Sequence, residues 1–292
     1  MILYLNGQVA TDLPIGDRGL AYGDGVFETI ALDASAQPQL WQTHWQRLSQ
    51  GLVKLGFTSD LDELYVQICT DVKHALGVWA NANSASQESR GVLKITITRG
   101  VGGRGYLPPE SASPNRIVQI SAWPQGREHI ATDGAQVHVC QHAWGCNSAL
   151  AGLKHLNRLD QVLARQEWRD DIHHEGLMCN QAGNVQSGVM SNVFVEKDGV
   201  LYTPINDTAG IDGIMAKQVM QVARSLNIPV KQQAFGLDFV YASDGVMLTN
   251  SLNGVWPVVL LGQQTFPITD TCRQIQGALK SQLQASTESL AC

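Results

Sequence analysis

The 292-residue sequence has no run of Lys and Arg, and its 20 basic residues are outnumbered by 26 acidic ones, giving a net charge of −6. A nucleic-acid-binding face concentrates basic side chains, so no nucleic-acid partner is expected. No stretch approaches the roughly 18 uninterrupted apolar residues that a membrane-spanning helix needs, so no membrane partner is expected either. The opening Met1–Gly7 lacks the basic start and small-residue cleavage site of a secretory leader, which points to the cytoplasm. The cysteines (Cys69, Cys140, Cys146, Cys179, Cys272 and Cys292) form no C-x-x-C pair, which argues against zinc or a disulfide framework and for reduced thiols. His173-His174 lies among Asp170, Asp171 and Glu175 with no third ligand at metal spacing, so no metal is expected. Internal repeats are absent, as are serine-protease and Cys–His arrangements.

What is present is an ordinary globular composition, 44% hydrophobic and 16% charged, with ample material for a core. The polar, turn-forming stretch Pro124–Glu128 divides the chain. A smaller N-terminal α/β domain is expected over 1–124, a linker over 125–131, and a larger C-terminal domain over 132–292.

Asn6-Gly7 predicts a hairpin over residues 1–10. Leu48, Leu52 and Leu55 mark an amphipathic helix over 44–57, and a second helix is read over 61–76, followed by a loop over 81–90. Leu93, Ile95 and Ile97 alternate with Lys94, Thr96 and Thr98, the pattern of a half-buried strand, with a partner strand over 117–123. Further on come a strand over 135–140 and a helix over 157–168 with Leu159, Val162 and Leu163 on its apolar side. A hairpin turns at Lys197-Asp198-Gly199, and a helix over 213–226 has Asp212 as its N-cap and Pro229 past its end. Val246–Leu248 is a buried strand, and the tail from Ser281 is helical, then frayed. The sum is an α+β protein with hairpins rather than strict βαβ alternation.

Gly100-Val101-Gly102-Gly103-Arg104-Gly105 fits a dinucleotide fingerprint, but Pro108-Pro109 follows where a helix is required, so that reading is rejected. The glycines either shape a loop that aims Arg104 into a cleft or form a plain surface loop. Asp17–Thr29 is too glycine-rich for helix or central strand, and reads as a turn held by an Asp17–Arg18 network or as a site-lining loop. The start of the Gly213 helix offers unpaired amides and a positive dipole end suited to phosphate. Thr249-Asn250-Ser251 either adds donors to that phosphate or caps a turn. Lys154 enters a helix from an apolar stretch, where a lysine is ordinarily snorkelling or paired; a desolvated Schiff-base amine is the sharper alternative.

These segments, in order, resemble the fold-type IV pyridoxal-phosphate enzymes, the class-IV aminotransferase family. The shared stretches are Leu5-Asn6-Gly7, Asp17-Arg18-Gly19 through Phe27-Glu28-Thr29, His44-x-x-Arg47-Leu48, Ser191-Asn192-Val193-Phe194, Tyr202-Thr203-Pro204, Gly213-Ile214-Met215 and Thr249-Asn250-Ser251. Within that group, Gly102–Tyr106 and Ala151-Gly152-Leu153-Lys154 through Leu163 resemble the aminodeoxychorismate lyases, which release pyruvate and form 4-aminobenzoate for folate synthesis. D-amino-acid and branched-chain aminotransferases share the scaffold.

The resemblance implies a two-domain fold with pyridoxal 5′-phosphate in the interdomain cleft, and a homodimer whose partner chain completes the site. It implies that Lys154 forms the Schiff base, that Arg47, the Ile214–Met215 backbone and Ser251 hold the phosphate, and that Asn192 and Asn250 line the cofactor. Arg104, Tyr106 and Thr29 would face the substrate. One departure stands out: the glutamate that partners the pyridine nitrogen, five residues before the Asn192 position, is here Ser187. A hydroxyl donates a hydrogen bond but is no anionic partner, which implies a weaker electron sink and admits a low-activity homologue.

Overall fold

The computed structural model describes residues 1–82, 90–285 and 290, and these fall into two compact units. Among the described residues, one comprises Met1–Pro124, Lys154–Asn157 and Leu290; the other comprises Gln125–Leu153 and Arg158–Ala285.

The first unit opens with β1 (Ile2–Leu5) and β2 (Gln8–Val9), paired across a turn in which Asn6 and Gly7 both have positive φ, as the Asn-Gly pair predicts. Then come α1 (Arg18–Tyr22), β3 (Gly25–Leu32), α2 (Trp41–Lys54), α3 (Leu61–Ala82), β4 (Gly91–Thr98) and β5 (Asn115–Ala122). The strands form one sheet in the order β2-β1-β5-β4-β3, antiparallel throughout. Leu93, Ile95 and Ile97 do share the buried face. They pack with Trp41, Leu48 and Leu52 of α2 and with the stripe Leu64, Ile68, Val72, Ala75 and Trp79 of α3. Each fully buried Leu or Ile here stabilises the unit by roughly 1.5–3 kcal/mol.

Two expectations for this unit change. Asp17–Thr29 contains both a helix and a strand: Asp17 caps α1 by accepting from the Leu20 amide, and β3 sits at the sheet edge, where its first residues are tolerated. α3 runs on to Ala82, so Asn81 and Ala82 are helical, and the rest of the expected loop, apart from Arg90, lies outside the described residues.

The second unit carries α4 (Ile130–Asp133), β6 (Ala135–Val139), α5 (Leu159–Arg165), β7 (Glu175–Cys179), β8 (Val185–Gly188), β9 (Asn192–Lys197), β10 (Val200–Thr203), α6 (Ile214–Ser225), β11 (Val230–Gln232), α7 (Leu237–Tyr241), β12 (Gly245–Asn250), β13 (Gly254–Leu261), β14 (Gln264–Thr265) and α8 (Asp270–Ala285). Its mixed sheet runs β11-β10-β9-β12-β13-β6-β7-β8, with β14 beside β13. Val193, Val195, Val246, Leu248, Trp256 and Val258 form the centre of its core.

Here the α5 expectation is corrected: Leu159, Val162 and Leu163 are exposed, and Gln161 and Ala164 face inward. Periodicity had found an apolar face, but Ala164 is small enough to pack against Trp144 and Trp168 instead. Asp212 is not the cap of α6. Gly213 holds that position, with no side-chain cap bond, and Asp212 instead accepts from Asn206. Cys140, Cys146, Cys179 and Cys272 are free thiols, whereas Cys69 is disulfide-bonded, which corrects the expectation of reduced thiols throughout. Among the described residues no helix is long and apolar enough to cross a membrane.

Candidate active site

Lys154 lies in an extended stretch, five residues before α5 begins, rather than at a helix entrance. The segment lies antiparallel along β3, the edge strand. Phe27 N–H donates to the Lys154 carbonyl (3.0 Å), Leu156 N–H donates to the Gly25 carbonyl (3.0 Å), and Val26 bridges His155. The backbone of the lysine is therefore fixed on a strand rather than on a loop tip. Its half-buried side chain places Nζ 4.4 Å from the centroid of the Phe27 ring. Thr29, half-buried, is two residues along β3 and so shares the Phe27 face.

The opposite phase of β3 reads Val26, Glu28, Ile30, Leu32, all buried, so Glu28 is a carboxylate in an apolar row. Such a group requires pairing. α2 supplies it from one face, three residues apart: His44 Nδ1 lies 2.6 Å from Glu28 Oε2, and Arg47 donates from Nε to Oε1 (2.7 Å) and from Nη2 to Oε2 (2.5 Å). Burial works to raise the Glu28 pKa, yet the Arg47 charge and these bonds hold it at about 2. Burial lowers the His44 pKa, with Glu28 opposing the shift and Arg47 and Lys154 adding repulsion. The bidentate pair locks the Arg47 guanidinium in one orientation.

In the second unit, Asn192 opens β9 and lies opposite Thr249 of β12. Its Nδ2 donates to the Ile211 carbonyl (2.9 Å), and its Oδ1 occupies the space a Cβ on Gly213 would need, at 1.8 Å. Glycine is thus required where α6 starts, and the helix presents its first amides, those of Ile214 and Met215, without a side-chain cap. Uncapped amides and the dipole end together suit a phosphate. Ser251 follows β12 in the same turn as Asn250. The Asn250 side chain accepts from the Leu252 and Asn253 amides and donates to the Met190 carbonyl, so it shapes the turn.

Ser187 is buried on β8, and its hydroxyl donates to the Gly188 carbonyl (2.7 Å). Arg104 and Tyr106 are exposed on the non-helical loop after β4. The candidates accordingly form a set around β3 and α2, a set where β9, β12 and α6 begin or end, and a pair on one loop, with Ser187 standing apart on β8.

Two residues escaped the sequence reading. Glu28 had a signal: it stands in the core phase of an alternating strand, and His44-x-x-Arg47 offers the matching cation. Glu175 had none. It is buried in β7 and accepts from the Gly176 and Met190 amides and the Ser191 hydroxyl, bracing the turn that leads to Asn192. Burial pushes its carboxyl above the usual range.

The sequence profile of the family described as amino-transferase class IV matches residues 25–261. An aminodeoxychorismate lyase of Vibrio harveyi is 33% identical over 286 residues, covering 96% of this chain and 100% of that enzyme. A D-alanine aminotransferase of Staphylococcus aureus is 25% identical, covering 97% of this chain and 98% of its own length. The crystal structure of 4-amino-4-deoxychorismate lyase from Pseudomonas aeruginosa superimposes with a TM-score of 0.85 at 36% identity, covering 98% of this chain and 100% of that one.

Proposed function

This chain belongs to the class-IV aminotransferase family, and from that premise we propose that it is a pyridoxal 5′-phosphate-dependent aminodeoxychorismate lyase. It converts 4-amino-4-deoxychorismate to 4-aminobenzoate and pyruvate, a carbon–oxygen lyase step that feeds folate synthesis. The observation that carries the reading is the uncapped α6 start, where Asn192 fills the space beside Gly213 and leaves the Ile214 and Met215 amides for a phosphate. Lys154, pinned to β3, fits the attachment point. The cofactor's ring nitrogen is the exception, since Ser187, whose hydroxyl donates to the Gly188 carbonyl, would supply no carboxylate there.

The family resemblance implies that Arg47, the Ile214 and Met215 amides and Ser251 would hold the phosphate. The bound cofactor would supply an electron sink for the carbon that carries the substrate nitrogen. Lys154 Nζ would be the attachment point and then the base that takes the proton from that carbon, a role that typically contributes about 10²–10⁴-fold. The electron pair released would make the ring aromatic as the bond from the neighbouring carbon to the enolpyruvyl oxygen breaks, and return of a proton to the enolpyruvate methylene would give pyruvate. Arg104 meets a substrate carboxylate, and Tyr106 and Thr29 line the same substrate.

The chain acts as a homodimer in the cytoplasm. Exposed Leu20, Val101, Tyr106 and Leu107 support an interface. Amino transfer on the same lysine is the second reading, favoured by the D-alanine aminotransferase relative. The test is direct: purified protein loaded with cofactor is given aminodeoxychorismate, and separately D-alanine with a keto acid. Pyruvate and 4-aminobenzoate in equal amounts are the expected products. Amino transfer without that release overturns the lyase assignment.

A further inference from the structure

Arg18 is a buried arginine, 3% exposed, that the reaction as described does not use. Its guanidinium donates to three acceptors. Nε donates to Asp24 Oδ2 (2.9 Å), Nη1 to the Gly105 carbonyl (3.0 Å) and Nη2 to the Tyr106 carbonyl (2.7 Å). Those two carbonyls immediately follow Arg104. The Arg18 backbone amide also donates to the Gly100 carbonyl, so the start and the middle of the loop both return to this residue. The cation lies 4.9 Å from the centroid of the Tyr22 ring, and that ring lies 5.4 Å from the ring of Tyr106.

The anchor of Arg18 is itself anchored. Asp24 Oδ2 also accepts from Arg99 Nε (2.8 Å), and Arg99 donates from Nη1 to the Gly56 carbonyl (3.1 Å) and from Nη2 to the Leu55 carbonyl (2.6 Å), just past the end of α2. A cation there also meets the negative end of the helix. The chain of contacts runs from α2, which carries Arg47, through Arg99, Asp24 and Arg18 to the backbone beside Arg104. Burial works to raise the Asp24 pKa, but the two arginines lower it overall, so the carboxylate stays charged as the hub of the chain.

We propose that Arg18 is a positioning residue for substrate recognition: by gripping the Gly105 and Tyr106 carbonyls it sets where Arg104 stands to receive a substrate carboxylate. The inference rests on the assignment of Arg104 above. An exposed arginine on a glycine-rich loop would otherwise lose much of its affinity to ordering itself on each binding event. Arg18 meets that cost in the fold. Lysine cannot substitute, because it keeps the charge beside Asp24 but lacks the planar fork that reaches both carbonyls.

The test compares Arg18→Lys, Gly102→Ala and Arg104→Ala in the cofactor-loaded enzyme, with aminodeoxychorismate as substrate. Gly102→Ala is the independent route, because a Cβ there would lie 2.5 Å from Arg18 Cδ and push the side chain aside. Arg18→Lys and Gly102→Ala are each expected to raise KM about tenfold while kcat stays within about twofold. The visible band of the bound cofactor should not change, and backbone amides over 102–107 should exchange faster than in the parent. Unchanged exchange in both variants overturns the clamp. Faster exchange with unchanged KM, while Arg104→Ala raises KM, overturns its role in recognition. If Arg104→Ala leaves KM unchanged, the Arg104 assignment fails and the inference falls with it.

Discussion

Replacing Glu28 with glutamine removes the charge that Arg47 and His44 are built around. The folded carboxyl titrates at about 2, against an ordinary 4.5. That gap of about 2.5 is worth about 3 kcal/mol, at roughly 1.4 kcal/mol for each tenfold in the proton equilibrium. Because the folded value is depressed, the contribution is complete above pH 4.5 and is lost as pH falls through about 2. Stranding the Arg47 cation adds to the loss, and breaking a buried pair from one side typically costs about 3–5 kcal/mol. Glu28→Gln should therefore lower stability by about 3–5 kcal/mol at pH 7, and the deficit should shrink by about 2 kcal/mol by about pH 3. Urea unfolding followed by tryptophan fluorescence measures this, since Trp41 and Trp45 sit on the same helix as Arg47. Equal stabilities at pH 7, or a deficit that persists undiminished at pH 3, would refute the reasoning.

Two further substitutions probe the cofactor end. Gly213→Ala forces a Cβ against Asn192 Oδ1, and should weaken pyridoxal 5′-phosphate binding by about tenfold or more while sparing phosphate-free pyridoxal. Equal losses for both ligands in a fluorescence titration would remove the phosphate from α6. Ser187→Glu restores an anionic partner and should raise both cofactor affinity and turnover, by about tenfold in affinity. If both stay the same, the hydroxyl at Ser187 was never a handicap.

Much of this fold is written locally. Asn6-Gly7, the 93/95/97 alternation and the Lys197-Asp198-Gly199 turn specify their elements because each is satisfied by its own neighbours. The misses share a cause: they depend on what a distant segment does. Asp212 satisfies the rule for an N-cap, but Asn192 occupies the space beside Gly213 and the helix starts one residue later. Leu159, Val162 and Leu163 define an apolar face without saying what covers it. Lys154 looked like any cation near a helix, because its attachment to β3 is a backbone pairing between remote residues that no local pattern records. Glu28 was the legible exception, a charge in the core phase of a strand that required a cation from elsewhere.

The central claim is that Lys154 carries the cofactor, and borohydride reduction of the loaded protein followed by peptide mapping tests it most directly. Reduction should fix pyridoxyl phosphate on the peptide containing Lys154 and on no other, and Lys154→Ala should abolish both the label and pyruvate release. Label on Lys94, Lys217 or any other lysine would contradict the account.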